Sequence, residues 1–106
     1  MPVVPFTQKV IDLIHAIPAG KVSTYGHIAA MAGNRRAARQ VARILHSFSR
    51  KEALPWHRVI NKQGQISLPR SHGYEMQKKR LEAEGVIFDT SDTIDLNVFL
   101  WRSETP

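Results

Sequence analysis

The apolar residues near the start of the chain recur every three or four positions, which is the period of an α-helix packed on a core. The residues with this spacing are Phe6, Val10, Leu13, Ile14 and Ile17. It predicts a first helix over residues 6–17 that stops before a proline. A second, shorter helix is predicted from Tyr25 to Ala32, with Ser23 or Thr24 as its N-terminal cap. Gly33 is placed to end it in the left-handed conformation.

The third predicted helix, over residues 35–48 with Asn34 as its cap, separates two kinds of residue. One face is apolar and carries Ala38, Val41, Leu45 and Phe48, whereas the opposite face carries Arg36, Arg39, Arg43 and Arg50. An arginine row is often only a solvated helix face, but no acidic residue lies three or four positions from these arginines. An uncompensated row favours contact with phosphate. Two short helices joined by a Gly-Asn turn are typical of a helix-turn-helix.

The remainder of the chain predicts a small amount of β-structure and one further helix. Residues 58–60 and 65–67, linked by a turn, predict a β-hairpin that would form the wing of a winged helix. Residues 69–73 form a loop, and residues 74–84 a fourth helix closed by Gly85. The apolar residues 98–101 are expected to dock on the core. The predicted fold is therefore mainly α, a small winged-helix-like domain with a short β-hairpin, and a single domain over residues 1–106.

The charged residues are distributed unevenly along the chain. The net charge is +6 overall. Residues 1–80 carry 14 of the 15 Lys and Arg residues against three acidic residues, whereas residues 81–106 carry one Arg against six acidic residues. A basic body with an acidic tail indicates a surface that binds a polyanion such as nucleic acid, although solubilising charge would give the same totals.

Several other classes of function receive no support. No apolar run reaches the roughly 18 residues of a membrane span, so no membrane partner is expected. The sequence contains no cysteine, which excludes disulfides and thiolate metal sites and favours a cytoplasmic location. The histidines show no helical ligand pair with a carboxylate, so neither a metal site nor a cofactor is predicted. They are His15, His27, His46, His57 and His72.

Four blocks, in order, carry a resemblance to a known family. They are Ile17–Gly26 (I-P-A-G-K-V-S-T-Y-G), Ala37–Val41 (A-A-R-Q-V), Pro55–Ile60 (P-W-H-R-V-I), and Lys79–Leu81 with Glu84-Gly85. Together they resemble the O6-alkylguanine-DNA alkyltransferases over residues 10–86. The chain departs from the family pattern at Trp56, which replaces the reactive cysteine, at Phe48, and in the loop 67–73.

The replacement at position 56 changes the chemistry that the resemblance implies. In this family a cysteine thiolate takes the alkyl group directly from damaged guanine, at the end of a His/Glu proton relay. An indole has no lone pair available for that displacement. The sequence therefore resembles the alkyltransferase-like proteins, which share the fold of the alkyltransferase C-terminal domain. We expect no alkyl transfer, and we expect His57 and Glu84 to survive as a structural hydrogen-bonded pair.

The resemblance also implies roles for residues at the DNA surface. Arg39 is similar to the arginine that fills the gap left by an extruded nucleotide, with Ala37 allowing close approach of the helix. The expected DNA-binding set is Tyr25, Arg36, Ala37, Arg39 and Arg43.

A lesion pocket is expected beside this surface. Its predicted lining is Tyr25, Trp56, Val59, Arg70 and Ser71. Trp56 could instead be core filler, and Tyr25 an ordinary buried tyrosine. Arg70 could contact either the lesion or a phosphate. Arg58 is expected to anchor the motif by a partly buried ion pair.

The leading hypothesis is a non-enzymatic sensor of O6-alkylguanine in duplex DNA. It would act as a monomer by minor-groove binding and nucleotide flipping, and would flag the lesion for nucleotide excision repair proteins. We expect a cytoplasmic protein, associated with the nucleoid if the source is bacterial. Two alternatives are a winged-helix transcription regulator, which needs base-reading side chains on the third helix, and a hydrolase using His57 and Glu84 on water.

Overall fold

The computed structural model describes residues 5–102 and is mainly helical, as predicted. Its elements in chain order are α1 (Pro5–Ala16), β1 (Ser23–Thr24), α2 (Tyr25–Met31), α3 (Ala38–Phe48), a 3₁₀ turn (Trp56–Arg58), β2 (Val59–Ile60), α4 (Glu75–Ala83) and α5 (Leu96–Phe99). None of the helices within residues 5–102 is long and apolar enough to cross a membrane.

Helices α1, α2 and α3 pack together around the first of two apolar cores. The helical spacing of the sequence places Val10, Ile14, Ile28 and Val41 fully inside it. Thr24 caps α2, since its side chain accepts a hydrogen bond from the backbone N–H of His27 at 3.0 Å. Gly33 ends the turn after α2 with φ of +103°, as predicted. The helix-turn-helix is therefore present.

The start of α3 differs from the prediction. Asn34 does not cap the helix; its side chain accepts from the backbone N–H of Arg36 at 3.1 Å and closes a local turn instead. The helix begins at Ala38 and ends at Phe48. Arg36 therefore precedes the helix and Arg50 follows it, so that only Arg39 and Arg43 of the predicted arginine row lie on α3.

The predicted β-hairpin is wrong. β2 pairs in parallel with β1, with Ser23 opposite Val59 and Thr24 opposite Ile60. Residues 61–65 form a tight turn. The N–H of Asn61 donates to the carbonyl of Gln65, and the N–H of Gly64 donates to the carbonyl of Asn61, both at 3.0 Å. The chain after this turn is held elsewhere, because the carbonyl of Gly64 accepts from the N–H of Ile94 at 2.8 Å.

The C-terminal segment closes the second core, around Val22, Ile60, Leu81 and Ile94. The N–H of Val22 donates to Phe99 at 2.9 Å, and Val22 in turn accepts from the N–H of Trp101 at 2.7 Å. Docking of this segment was predicted and is confirmed for Phe99, Leu100 and Trp101, all of which are partly buried. It is wrong for Val98, whose side chain is 55% exposed.

Residues 69–73 were predicted as a loop and are more ordered than that. Residues 70–74 form a wide helical turn that is broken where His72 and Gly73 leave the helical region, with φ of −138° and +108°. Helix α4 follows directly from Glu75.

Gly64 offers a test of this packing. Its φ is +80°, and an added Cβ would lie 2.5 Å from the carbonyl oxygen of Ile94. Gly85 has a similar φ of +96° but nothing within 4 Å of an added Cβ. We expect Gly85→Ala to cost about 1–2 kcal/mol through backbone strain alone. Gly64→Ala should cost a further 1–3 kcal/mol or so, the scale of overpacking. Urea unfolding of both variants measures the difference, and equal losses would contradict the contact.

Candidate nucleic-acid interface

The solvent-facing side of α3 is a basic surface made of Arg39 and Arg43 together with Arg36, which lies just before the helix. All three side chains are exposed. Within residues 5–102, each ion pair in the structure joins other residues, so no carboxylate neutralises these three arginines. Ala37 differs from them because it is 8% exposed and belongs to the first core. The arginines therefore offer free guanidinium groups to a polyanion.

A cavity of about 290 Å³ lies between α3, the 3₁₀ turn and α4. Its walls are formed by Tyr25, Ala42, Leu45, His46, Ser49, Trp56, Val59, Leu68 and Gln77. The volume is at the lower end of the range for sites that hold a small molecule. The cavity wall therefore includes three of the five residues predicted for the lesion pocket, namely Tyr25, Trp56 and Val59.

The α3 wall of the cavity was not predicted, although the sequence held a signal for it. Ala42, His46 and Ser49 recur at helical spacing and share one face with Leu45. At about 100° per residue, Arg39 and Arg43 project within about 60° of His46. The basic surface therefore borders the wall of the cavity.

Tyr25 joins the start of α2 to the loop on the other side of the cavity. Its hydroxyl lies 3.1 Å from the Ser67 hydroxyl. The ring is partly buried and packs against the first core. The phenol is therefore held in the cavity wall at its polar end as well as its apolar end.

Trp56 is partly buried, packs against the first core and forms another wall of the cavity. Its ring meets the His57 ring edge to face, with centroids 6.1 Å apart and planes at 85°. The Arg80 guanidinium lies 5.6 Å from the centroid of the Trp56 ring. A cation at this distance is attracted to the π-face of an indole. Both contacts restrain the orientation of the ring.

The Glu84 carboxylate accepts hydrogen bonds from two separate parts of the chain, the 3₁₀ turn and the segment that precedes β1. Nε2 of His57 donates to Oε2 at 2.8 Å, and Nη2 of Arg58 donates to the same oxygen at 2.7 Å. The N–H of Gly20 donates to Oε1 at 3.3 Å. Arg58 also donates from Nη1 to the carbonyl of Ile17 at 2.9 Å. The expected His57–Glu84 pair and the expected ion pair of Arg58 are both present.

This cluster changes the acidity of the carboxyl group. The hydrogen bonds from Arg58, and then those from His57 and Gly20, lower the pKa of Glu84 from 4.5 to about 2. An ionised carboxylate only accepts hydrogen bonds, so the His57 proton at this contact sits on Nε2. Nδ1 of His57 is buried and has no hydrogen-bond partner within residues 5–102. No thiol is present for the imidazole to activate.

Gln77 holds the same motif from α4, and nothing in the sequence singled it out. Its buried side-chain N–H group donates to the carbonyls of His57 and Val59, both at 3.1 Å. These bonds satisfy two buried backbone acceptors next to the cavity. Gln77 is thus both a support for the motif and part of the cavity lining.

Arg70 and Ser71 do not line the cavity, contrary to the prediction. Arg70 bonds Asp92 at 3.2 Å and Glu75 at 3.5 Å, and its guanidinium lies 4.4 Å from the centroid of the Tyr74 ring. The Ser71 hydroxyl bonds Nδ1 of the adjacent His72 at 2.8 Å. Both residues are exposed. The acidic segment attracts Arg70 away from the cavity, which the local sequence did not indicate.

Within residues 5–102, His, Asp and Glu side chains form no group of three or more that could hold a metal ion.

Comparison with known proteins agrees with this geometry. Residues 5–86 match the family model described as 6-O-methylguanine DNA methyltransferase, DNA binding domain. The DNA base-flipping protein of Escherichia coli is 46% identical over 99 residues, covering 92% of this chain and 74% of its own. The alkyltransferase-like protein 1 of Schizosaccharomyces pombe is 44% identical over 102 residues, covering 92% of this chain and 94% of its own.

A solved structure extends the likeness to three dimensions. The crystal structure of S. pombe Atl1 in complex with damaged DNA containing O6-carboxymethylguanine matches with a TM-score of 0.82 and 42% identity. It covers 97% of this chain and all of that one. The fold is that of the DNA-binding domain of the 6-O-methylguanine DNA methyltransferases. The chain belongs to the O6-alkylguanine-DNA alkyltransferase family and, within it, to the alkyltransferase-like proteins. With no cysteine in its sequence, it has no thiolate to accept an alkyl group.

The Glu84 cluster predicts a specific pH dependence of stability. The folded-state pKa lies below the ordinary value of 4.5, so the contribution is complete above that pH and is lost as the pH falls towards 2. Glu84→Gln should lose on the order of 2 kcal/mol at pH 7, the scale of hydrogen bonds to a charged group. It should also lose less stability than the wild type between pH 5 and 2. Glu82→Gln, an exposed neighbour on α4, is the control. Urea unfolding across this range measures both effects, and parallel curves for Glu84→Gln and the wild type would contradict the role of the cluster.

Proposed function

We propose that this protein recognises O6-alkylguanine in duplex DNA by flipping the damaged nucleotide into the cavity, without repairing it. The observation that carries the proposal is the position of Trp56. It lies in the wall of a cavity bordered by free arginines, at the motif position where the alkyltransferases carry their cysteine. The names of the relatives, a base-flipping protein and an alkyltransferase-like protein, support this function.

The basic surface would carry the contact with DNA. Arg36 and Arg43 would neutralise phosphates. Arg39 would enter the minor groove and stack in the gap left by the flipped nucleotide. Ala37 has its methyl group in the core, so it would contribute through its backbone and its small size. Tyr25 would border the path of the nucleotide from the duplex to the cavity. Extrusion costs a few kcal/mol of base stacking, which a guanidinium in the gap partly offsets.

The alkyl group would face Trp56. In the alkyltransferases the thiolate attacks the alkyl carbon, so the residue at this position must lie in line with the bond from O6 to that carbon. Here the same position offers the broad apolar surface of an indole, which binds an alkyl group but cannot displace it. The result would be recognition in place of transfer.

A lesion that is bound and left intact needs another system to remove it. We propose that the protein, acting as a monomer in the cytoplasm, presents the lesion to nucleotide excision repair proteins. The bound and distorted duplex would be the signal that they detect.

The central test compares duplexes that differ only by one O6-methylguanine. We expect tighter binding to the damaged duplex in a gel-shift assay. Mass spectrometry should then show an unchanged protein and an intact lesion. Equal binding to both duplexes, a methyl group on the protein, or loss of the lesion would each contradict the proposal.

Two arginines on α3 distinguish flipping from simple attraction to phosphate. Arg39→Ala should weaken binding to the damaged duplex by roughly 1–3 kcal/mol, the scale of a base-stacking contact, with a smaller effect on the unmodified duplex. Arg43→Ala is the matched control, one turn away, and should weaken binding to both duplexes equally. Fluorescence anisotropy titrations with each duplex give, for each variant, the ratio of its affinity for the damaged duplex to its affinity for the unmodified duplex. The same ratio in both variants would mean that Arg39 only contacts phosphate.

A further inference from the structure

An open groove of about 500 Å³ runs along the C-terminal segment, over residues 87–99. Among the residues that the structure describes, it shares none with the cavity that contains Trp56. The three arginines of the basic surface do not line it either. The groove is therefore a separate surface, outside the residues expected to contact DNA.

The groove carries exposed apolar side chains. Within residues 5–102, the large apolar side chains that are most exposed are Ile87 at 68%, Val98 at 55% and Met76 at 54%. The first two both line the groove, together with the partly buried Phe99. A single exposed apolar side chain is ordinary, whereas several that line one depression leave an apolar surface without a partner. Covering this surface would be favourable.

Two carboxylates line the same groove. Asp89 and Asp95 are both exposed. Oδ1 of Asp89 accepts two backbone N–H groups of its own turn, at 2.7 and 3.0 Å, and Oδ1 of Asp95 caps α5 at 2.9 Å. Within residues 5–102, neither carboxylate takes part in an ion pair. Each therefore adds an uncompensated negative charge to the groove.

The basic residues around this segment are engaged elsewhere. Nζ of Lys21 borders the groove but donates to a backbone carbonyl of α5, at 2.9 Å. Arg70 and Lys78 both pair with Asp92, and Arg102 lines a different depression. The two carboxylates of the groove remain available to a cation from outside the chain.

The combination of charge and apolar surface selects the kind of partner. Negative charge repels the phosphates of nucleic acid and of anionic lipid, so neither is complementary to the groove. Apolar side chains flanked by carboxylates are instead complementary to a protein segment that carries apolar side chains next to Lys or Arg.

We propose that this groove binds a short segment of another protein in which apolar side chains are interspersed with Lys or Arg. The apolar side chains of the segment would cover Ile87 and Val98, and its basic side chains would pair with Asp89 and Asp95. The inference goes beyond the proposed function, since the groove takes no part in contacting DNA. A molecule bound to DNA through α3 would therefore still have this groove free for the partner.

Three synthetic peptides test the chemistry of the groove. The first is a short peptide in which leucines and lysines are interspersed with serines. The second replaces its leucines by serine, and the third replaces its lysines by glutamate. Each is titrated into isotope-labelled protein and followed by NMR. The first peptide should shift the amide signals of residues 87–99, and the other two should bind several-fold more weakly. No shift, shifts located elsewhere, or equal binding of the three peptides would overturn the proposal.

Two substitutions remove the apolar part of the groove. The double variant Ile87→Thr, Val98→Thr should bind the leucine-lysine peptide about tenfold more weakly, the scale of two buried methylene groups. Both side chains are exposed, so the fold should be retained. Met76→Thr is the matched control, because Met76 is similarly exposed but does not line the groove. The same loss in the control would show non-specific apolar binding and overturn the site.

Two further substitutions remove the charge but keep the turn and the cap. The double variant Asp89→Asn, Asp95→Asn retains an oxygen acceptor at each position. It should bind the leucine-lysine peptide a few-fold more weakly, the scale of exposed ion pairs. Glu82→Gln is the control, since Glu82 is exposed on α4 outside the groove. An equal loss in the control would mean diffuse attraction to the acidic segment and would contradict pairing in the groove.

A second copy of this chain is the alternative occupant. It predicts that the signals of residues 87–99 change when the protein alone is diluted, and that result would overturn the proposal. Lesion recognition is measured separately, since the double variant Ile87→Thr, Val98→Thr should bind O6-methylguanine duplex as the wild type does. If the wild type does not distinguish damaged from unmodified duplex, the proposed function is wrong. If it does, but the peptides leave residues 87–99 unshifted, only the docking groove is overturned.

Discussion

One carboxylate joins the parts of the chain that build the site. Glu84, at the end of α4, accepts hydrogen bonds from His57 and Arg58 in the 3₁₀ turn and from the backbone of Gly20. Arg58 extends the cluster to Ile17, at the end of the first helical segment. Removing the acceptor would leave a partly buried guanidinium unpaired, which costs far more than an exposed ion pair would lose. The position of Trp56 depends on this cluster, because it is the first residue of that 3₁₀ turn.

The four longer helices could be predicted from the sequence because their apolar spacing is a local signal, whereas the four-residue helix α5 is too short to show one. The strands could not. The pairing of Ser23–Thr24 with Val59–Ile60 joins segments more than thirty residues apart, and two-residue strands contain too little alternation to identify a partner. The start of α3 was misplaced for a related reason. Asn34 is as good at closing a turn as at capping a helix, and only the tertiary structure decides between the two.

Some residues of the candidate site could be predicted from the sequence and others could not, and the difference has a physical basis. Tyr25, Trp56 and Val59 were found because motif positions identify them, and His57 and Glu84 because the family pairs them. Ala42, His46 and Ser49 were missed because their helical spacing places them on one face with Leu45 but does not indicate whether that face lines a cavity or meets solvent. Arg70 was misplaced because its partner Asp92 lies twenty-two residues away, in the acidic segment. Long-range charge pairing of this kind leaves no local pattern.

The indole at position 56 also determines how many lesions one molecule of the protein can serve. An alkyltransferase that accepts an alkyl group on its cysteine is used up by a single lesion, so the number of lesions repaired cannot exceed the number of molecules made. A protein with Trp56 at this position has no nucleophile that a lesion could alkylate and use up. In the proposed function, each molecule would return unaltered from every encounter. Its capacity would then be governed by residence time on DNA, and a few copies could serve many lesions in succession.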